Sequence, residues 1–248
     1  KGNAEDTQSG YRSAFNHENE DAKAGYYSVL LDDYNTKVEL TTGDRVGMMR
    51  CTFPQTTEAH MFLDMVEGVN DEFVYESFLN VENDHAISGF RRTKDWAKDQ
   101  YLYFYAEFSK PFRAYSMFDH GAIADNDGTL QSDNIKAYFD FDTEEGEQIV
   151  MRIALSAVDV DGAKNNLKNE LADGDFDFDA LAQKAYDKWN AELKRYDVQG
   201  NSESDKTVFY SALYHTMVAP NLFSDADGRY RAHDLQVHQS DRPVYTVF

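Results

Sequence analysis

Apolar and polar positions alternate with a period of two along much of the first 157 residues, in short runs broken by turn-forming pairs. Runs at 26–31, 37–42, 46–53, 73–82, 101–109, 135–141 and 148–157 predict strands. Asp32-Asp33, Thr42-Gly43-Asp44, Asp127-Gly128 and Glu145-Gly146 supply turns between them. In the run 101–109, Tyr101, Tyr103 and Tyr105 take one face, and Leu102, Phe104 and Phe108 the other. Both faces are apolar enough to be covered, which predicts a layered sandwich rather than a sheet open on one side. Ile149, Met151, Ile153 and Leu155 form a second alternating face.

After Asp159 the apolar period changes. Segments 161–172 and 178–196 predict helices, the second with Phe178, Leu181, Ala182, Ala185, Trp189 and Leu193 near helical spacing. Asp177 or Asp179 is placed to cap its start, and Gly200 to end the segment. A third helix is predicted over 205–219, with Ser204 as its cap and Pro220 as its stop. Phe209, Leu213 and Met217 form its apolar stripe. The fold class is therefore β-rich plus α: an antiparallel β-sandwich over 1–158, a helical connector over 159–200, and the start of a helical domain over 201–248. The chain stops at Phe248 inside an apolar, strand-like run, so it is expected to be a piece of a longer polypeptide.

Composition narrows the partners. A formal net charge of -21 argues against nucleic acid, whose binding rests on neutralising phosphates with basic side chains. It argues equally against an anionic membrane surface, and it tolerates a bound cation. No apolar stretch approaches the roughly 18–20 residues of a membrane helix. Cys51 is the single cysteine, which forbids an intramolecular disulfide; its alternating apolar setting predicts a buried, inert thiol.

Three segments are candidates for chemistry. The first, Phe15 to Glu20, places His17 and Glu18 ahead of the first confident strand, where they either meet a sugar or brace a surface turn. The second, the loop 224–234, crowds Asp225, Asp227, Arg229, Arg231, His233 and Asp234 into ten residues past a helix end. That density of carboxylates and guanidinium groups suits polar ligand recognition, and equally an internally paired, rigid loop. Its Asp-x-Asp-Gly start lacks the third acidic position and distal glutamate of an EF-hand. The third, Asp125 to Thr129, reads as a tight turn around Gly128. The seven histidines show no zinc spacing, and the chain has no nucleophile elbow, P-loop or dinucleotide fingerprint. Exposed loop aromatics such as Trp96 are suited to stacking on a sugar ring, which supports an alternative reading as a non-catalytic carbohydrate-binding or scaffolding sandwich.

Five stretches carry a family resemblance: YRSAFNHENEDAKAGYYSVLLDDYNTKVELTTGDRVGMMRCTFP (11–54), YLYFYAEFSKPF (101–112), LSAVDVDGAKNNL (155–167), FYSALYHTMVAPNLFSDADGRYRAHD (209–234) and the closing YTVF. Together, and in this order, they resemble glycoside hydrolase family 92, the calcium-dependent exo-acting α-mannosidases common in gut Bacteroidetes. Asn16 and Ala232 depart from the family's usual serine and glycine.

The resemblance implies an N-terminal β-sandwich packed on an (α/α)6 toroid, of which this chain holds the first part. It implies inverting hydrolysis of α-mannosides, with an α-1,2 linkage expected, by a general acid and a carboxylate base placed about 6.5–9.5 Å apart. It implies calcium as cofactor, and it places the acid, the base and the calcium ligands beyond Phe248, with no metal ligand in this chain. His17, Glu18, Asp225, Asp227, Arg229, Arg231 and Asp234 are then the candidates for the wall of the site. The expected partners are α-mannoside glycans and the remainder of the same polypeptide. The expected location is the periplasm, cell surface or exterior of a bacterium.

Overall fold

The structure, a computed structural model, describes residues 12–68, 73–95, 97–125, 127–200 and 202–247. After a single 3-10 turn at His17–Asn19, the first strands are β1 (Glu20–Lys23), β2 (Tyr26–Leu31), β3 (Thr36–Thr42), β4 (Val46–Phe53) and β5 (Thr56–Asp64). Next come β6 (Phe73–Asn83), β7 (Ala86–Lys94), β8 (Gln100–Phe108), β9 (Ala114–Asp119) and β10 (Ala122–Ile123). The series closes with β11 (Thr129–Ser132), β12 (Ile135–Thr143) and β13 (Glu147–Ser156).

Among the described residues these strands form two antiparallel sheets. The larger has nine strands in the order β1-β2-β3-β4-β13-β8-β7-β6-β11, and the smaller has four in the order β10-β9-β12-β5. The alternation in the sequence decides what lies between them. Cys51 and Phe53 of β4, Phe104, Ala106 and Phe108 of β8, and Ile149 of β13 face Met61, Met117, Ala137, Phe139 and Phe141 of the smaller sheet in one core. The rings of Phe108, Phe112 and Phe139 meet at 5.2–5.9 Å within it. Cys51 is buried there, and burial pushes its thiol up to about 12.

The other face of the nine-stranded sheet is covered by helix over β13, β4 and β3. Helix α1 (Val160–Glu170) lies on β13 and β8, and α2 (Phe178–Leu193) on β3 and β4. Val46, Met48, Val150 and Ala154 pack there against Leu167, Leu171, Phe178 and Leu181. Two arginines of the same face tie down the helices. Arg50 lies 4.3 Å over the Phe178 ring and pairs with Glu39 at 2.7 Å and with Asp179 at 3.0 Å. Arg152 pairs with Glu107, donates to the carbonyls of Ala172 and Asp175, and sits 4.8 Å over the Phe176 ring. Strand β8 is thus covered on one side by the smaller sheet and on the other by α1, although Leu102 at its start is 40% exposed.

Asp159 and Asp177 cap α1 and α2, each accepting from a backbone N–H three residues on. Helix α3 (Glu203–Thr216) begins earlier than the apolar pattern predicts, and its cap is Ser202, not Ser204. Ser202 Oγ accepts from the Asp205 N–H at 3.1 Å, which leaves Ser204 inside the first turn. The remaining chain forms two small pairings: β14 (Asn221–Leu222) with β17 (Tyr245–Thr246), and β15 (Arg229–Arg231) with β16 (Val237–Gln239).

Candidate functional site

The loop 224–234 folds back onto the sandwich, and its charged groups meet the ends of β13 and α1. Asp225 is only 2% exposed and accepts from Ser156 Oγ at 2.7 Å and Asn166 Nδ2 at 2.9 Å. Burial pushes its carboxyl above the ordinary value, against the pull of those two hydrogen bonds. The Asn166 side chain also accepts from the Ala226 N–H at 2.7 Å, so one amide holds two successive loop residues. Arg45 donates to the Ser224 carbonyl at 2.8 Å from the β3–β4 turn.

Arg229 and Arg231 continue the attachment along β15. Arg229 pairs with Asp159, the α1 cap, at 2.7 Å, and with Asp227 at 2.7 Å. Burial raises both carboxyls, but the bonds from Arg229 outweigh it and hold them below their ordinary values. Arg231 donates to the carbonyls of Ala157 at 3.0 Å, Val158 at 2.9 Å and Leu235 at 2.9 Å. Its guanidinium lies 4.6 Å over the ring of Tyr101 at the start of β8. Asp234 accepts from His238 Nε2 at 2.9 Å across the hairpin, and the Gln236 N–H, followed by that bond, holds its carboxyl low.

Between this hairpin and β8 runs a groove of about 730 Å³. Its walls include Tyr101, Phe223, Tyr230, Tyr245, Asp99 and His233. Apolar and aromatic walls with a few directed polar groups are the usual make-up of a small-molecule site. Asp99 is held in place by Arg92, whose Nε and Nη2 donate to its two oxygens at 2.7 Å each. Those bonds hold its carboxyl below its ordinary value, so Asp99 is an ionised acceptor and no proton donor.

The family model of the glycosyl hydrolase family 92 N-terminal domain matches residues 1–156, and that of the family 92 catalytic domain matches 162–248. The chain belongs to glycosyl hydrolase family 92. It is 32% identical to a family GH92 alpha-mannosidase from Bacteroides thetaiotaomicron, with a TM-score of 0.89 over 95% of this chain and 32% of that one. The same figures for identity and TM-score hold for that enzyme in complex with mannoimidazole. A family GH92 inverting mannosidase from the same organism is 25% identical, with a TM-score of 0.83 over 94% of this chain and 31% of that one. The chain therefore spans about a third of the length of these relatives. No curated protein matches it.

Within this family 92 chain, Asp225, Asp227, Arg229, Arg231 and Asp234 lie in one loop and hairpin, with Arg231 on the groove wall. His17 and Glu18 lie elsewhere. Glu20, Val29, Val38, Cys51 and Ile149 form one row across the nine-stranded sheet, and β1 stands four strands from β13. Ser156, which holds Asp225, is seven residues farther along β13. The two candidates are therefore separated by about 19 Å across the sheet and about 24 Å along it. His17 is exposed and bonds Glu20 at 2.6 Å, while Asn16 caps the short turn through the Glu18 N–H. In the Asp125 to Thr129 turn, Gly128 has φ +100 and Thr129 bonds Asp127; Asn126 lies outside the described residues, as does Trp96.

Four residues at the junction escaped the sequence reading: Ser156, Asp159, Asn166 and Asp99. The first three stand in the segment LSAVDVDGAKNNL, but their partners lie 59 to 70 positions away, beyond the reach of local spacing. Among the described residues no group of three or more His, Cys, Asp or Glu side chains is placed to hold a metal. The Asp225-x-Asp227-Gly228 segment does not fit calcium either. Its carboxylate oxygens already receive Ser156, Asn166 and Arg229, and the Arg229 guanidinium fills the space between Asp159 and Asp227.

Proposed function

We propose that this chain forms the sandwich and domain junction of a glycoside hydrolase that releases mannose from α-mannosides, with the groove beside β8 as one wall of its sugar site. The carrying observation is the position of that groove. It lies where the two matched family domains meet, between β8 of the first and the hairpin β15–β16 of the second. The printed activities of the similar structures, an alpha-mannosidase and an inverting mannosidase, supply the substrate class.

In an inverting, exo-acting mechanism one carboxylic acid protonates the leaving oxygen while a carboxylate activates water on the opposite face. The acidic residues of this chain's junction suit neither role. Asp159, Asp227 and Asp99 are each held ionised by an arginine, and Asp225 is buried behind Ser156 and Asn166. Their task is to hold the wall in shape and, for Asp99, to accept hydrogen bonds from sugar hydroxyls. Tyr230 and Tyr245 line the groove with aromatic surface suited to the apolar side of a pyranose, while Tyr101, covered by Arg231 and Arg92, braces the wall. The acid, the base and the calcium that would engage neighbouring mannose hydroxyls are then supplied by other residues of the full-length protein. The proposed substrate linkage is α-1,2. Action in the periplasm or at the surface of a bacterium fits a polymeric substrate that cannot cross a membrane intact.

The test is release of mannose from α-1,2-mannobiose by the full-length protein, with and without EDTA. Turnover abolished by chelation and restored by calcium is the expected result. Activity unchanged by exhaustive chelation removes calcium from the reading, and no turnover of any α-mannoside removes the reading itself.

A further inference from the structure

The pairing of β14 with β17 forms a second wall of the groove, to which it brings Phe223, Val244 and Tyr245. The Phe223 and Ser224 N–H groups both donate to the Val244 carbonyl, at 2.8 and 3.2 Å, and the Val244 N–H donates to Ser224 Oγ at 3.1 Å. Arg45, in the β3–β4 turn of the sandwich, donates from Nε to the Ser224 carbonyl at 2.8 Å. Ser224 is 3% exposed, so that carbonyl has little water to turn to if the donor is lost. Arg45 is itself held in place. Glu170, at the end of α1, accepts the Asp44 and Arg45 N–H groups, one on each carboxylate oxygen, at 2.8 Å each. Its Oε1 also lies 3.6 Å from Arg45 Nη1, and both side chains are largely buried. The Arg45 carbonyl accepts the Leu155 N–H at 3.2 Å, from the end of β13. The turn packs so closely on Glu170 that a Cβ at Gly43 would collide with its carboxylate.

We infer that Arg45 is a positioning residue for the groove: aimed by Glu170, it fixes where the β14–β17 wall stands, without itself touching the sugar. The inference rests on the proposed sugar site and adds to it a residue of the first domain. Three observations carry it. First, Arg45 lies in the segment matched by the family's N-terminal domain, whereas Glu170 and Ser224 lie in the segment matched by its catalytic domain. The contact therefore sets one matched domain against the other. Second, the link to the groove is short. The Arg45 guanidinium meets the Ser224 carbonyl, Ser224 and Val244 bond each other, and Val244 lines the groove. Third, the arrangement needs a planar fork. Nε serves the carbonyl while Nη1 faces the Glu170 carboxylate, and a lysine ammonium has one point charge for two targets. The effect is also local. Asp225, the next residue, is anchored separately on Ser156 and Asn166, so loss of Arg45 loosens β14 and β17 and leaves the β15–β16 hairpin attached.

The experiment uses the full-length protein and reads amide hydrogen exchange by mass spectrometry beside kinetics on α-1,2-mannobiose. Arg45→Met keeps the stem and removes the fork. Peptides covering 221–224 and 244–246 are expected to exchange about tenfold faster in it, with 135–141 of the core and 229–231 of the hairpin unchanged. KM is expected to rise roughly threefold to tenfold with kcat within about twofold of the parent, the split of lost positioning rather than lost chemistry. Arg45→Lys keeps charge and bulk; it should still exchange about threefold faster at 221–224 and raise KM about twofold. If Arg45→Met loses protection in the core as well, Arg45→Lys decides alone. Wall exchange at the parent rate overturns the inference whatever the kinetics. Faster wall exchange with an unchanged KM also overturns it, since the wall would then move without the sugar sensing it. A parent protein that turns over no α-mannoside removes the sugar reading and this inference with it, a failure recognised from the parent's kinetics alone.

Discussion

The Arg231 guanidinium lies 4.6 Å from the centroid of Tyr101, so a residue of the C-terminal hairpin closes on the first ring of β8. Three carbonyls receive the same guanidinium, two at the end of the sandwich and one in the hairpin itself. Planarity matters here, because one fork serves all three while its face rests on the ring. Tyr101 in turn has Arg92 5.0 Å from its ring. The groove wall is therefore built as a layered arrangement of rings and guanidinium groups.

Arg231→Ala is expected to destabilise the chain by about 2–3 kcal/mol in urea melts, from lost charged hydrogen bonds and a partly exposed cation–π contact. Arg231→Lys should recover less than half, since a point charge cannot donate to three separate carbonyls. Full recovery by lysine would show that charge alone matters and that the fork geometry does not.

Glu39 makes stability depend on acid. The residue is 4% exposed and accepts from Arg50 at 2.7 and 3.0 Å, Tyr26 at 2.8 Å and Lys37 at 3.1 Å. Burial pushes its carboxyl up, but these bonds outweigh it and hold it at about 2, against 4.5 ordinarily. A depressed carboxyl stabilises the fold fully above its unfolded value and loses that contribution as pH falls through its folded value. The loss should run from about pH 4.5 down to about pH 2 and amount to roughly 2–3 kcal/mol. Glu39→Gln should remove that amount at pH 7 and flatten the acid limb. An unchanged limb in the variant would assign acid unfolding to other carboxyls.

The strands with clean alternation were legible because one face of each meets the core. β2 and β4 fall where the pattern puts them. β5 and β7 did not show, for identifiable reasons. β5 opens Thr-Thr-Glu, and His60 interrupts its apolar run. β7 carries Gly89, Arg91 and Arg92, and glycine there reads as a break. Gly89 is nonetheless required, since a Cβ would press on the Phe78 carbonyl and come within 2.9 Å of the Phe104 ring. In the site, the sequence showed that the loop 224–234 is dense in charge. It did not show that Ser156, Asn166 and Asp159 are where the charge goes, because that depends on α1 bringing its first turns under the loop.

Gly162 tests that placement. A Cβ there would come within 2.6 Å of Ser156 Oγ and closer still to the Asp225 carboxylate. Gly162→Ala should therefore push the loop off α1, at about 1–3 kcal/mol for overpacking, despite alanine's better helix propensity. Limited proteolysis should then cut between residues 224 and 240 at a protease level that spares the parent chain. Resistance equal to the parent, with unchanged stability, would mean that the loop is held elsewhere.

Arg229 separates holding the groove from taking part in the reaction. Its partners Asp159 and Asp227 are 45% and 37% exposed at the side chain, so water screens both pairs, and Arg229→Ala should cost the chain only about 1 kcal/mol. The hairpin should nonetheless loosen against α1, because Arg229 joins the β15 strand to the α1 cap. In the full-length protein acting on α-1,2-mannobiose, a displaced wall weakens sugar binding in ground and transition states alike. KM is then expected to rise severalfold with kcat within about twofold of the parent, the pattern of lost uniform binding. Asp159→Asn retains the cap, since asparagine accepts the same N–H, but it loses the charge, and it should show the same KM effect in weaker form. A hundredfold fall in kcat with unchanged KM in Arg229→Ala would place Arg229 on the reacting sugar and overturn its role as a strut.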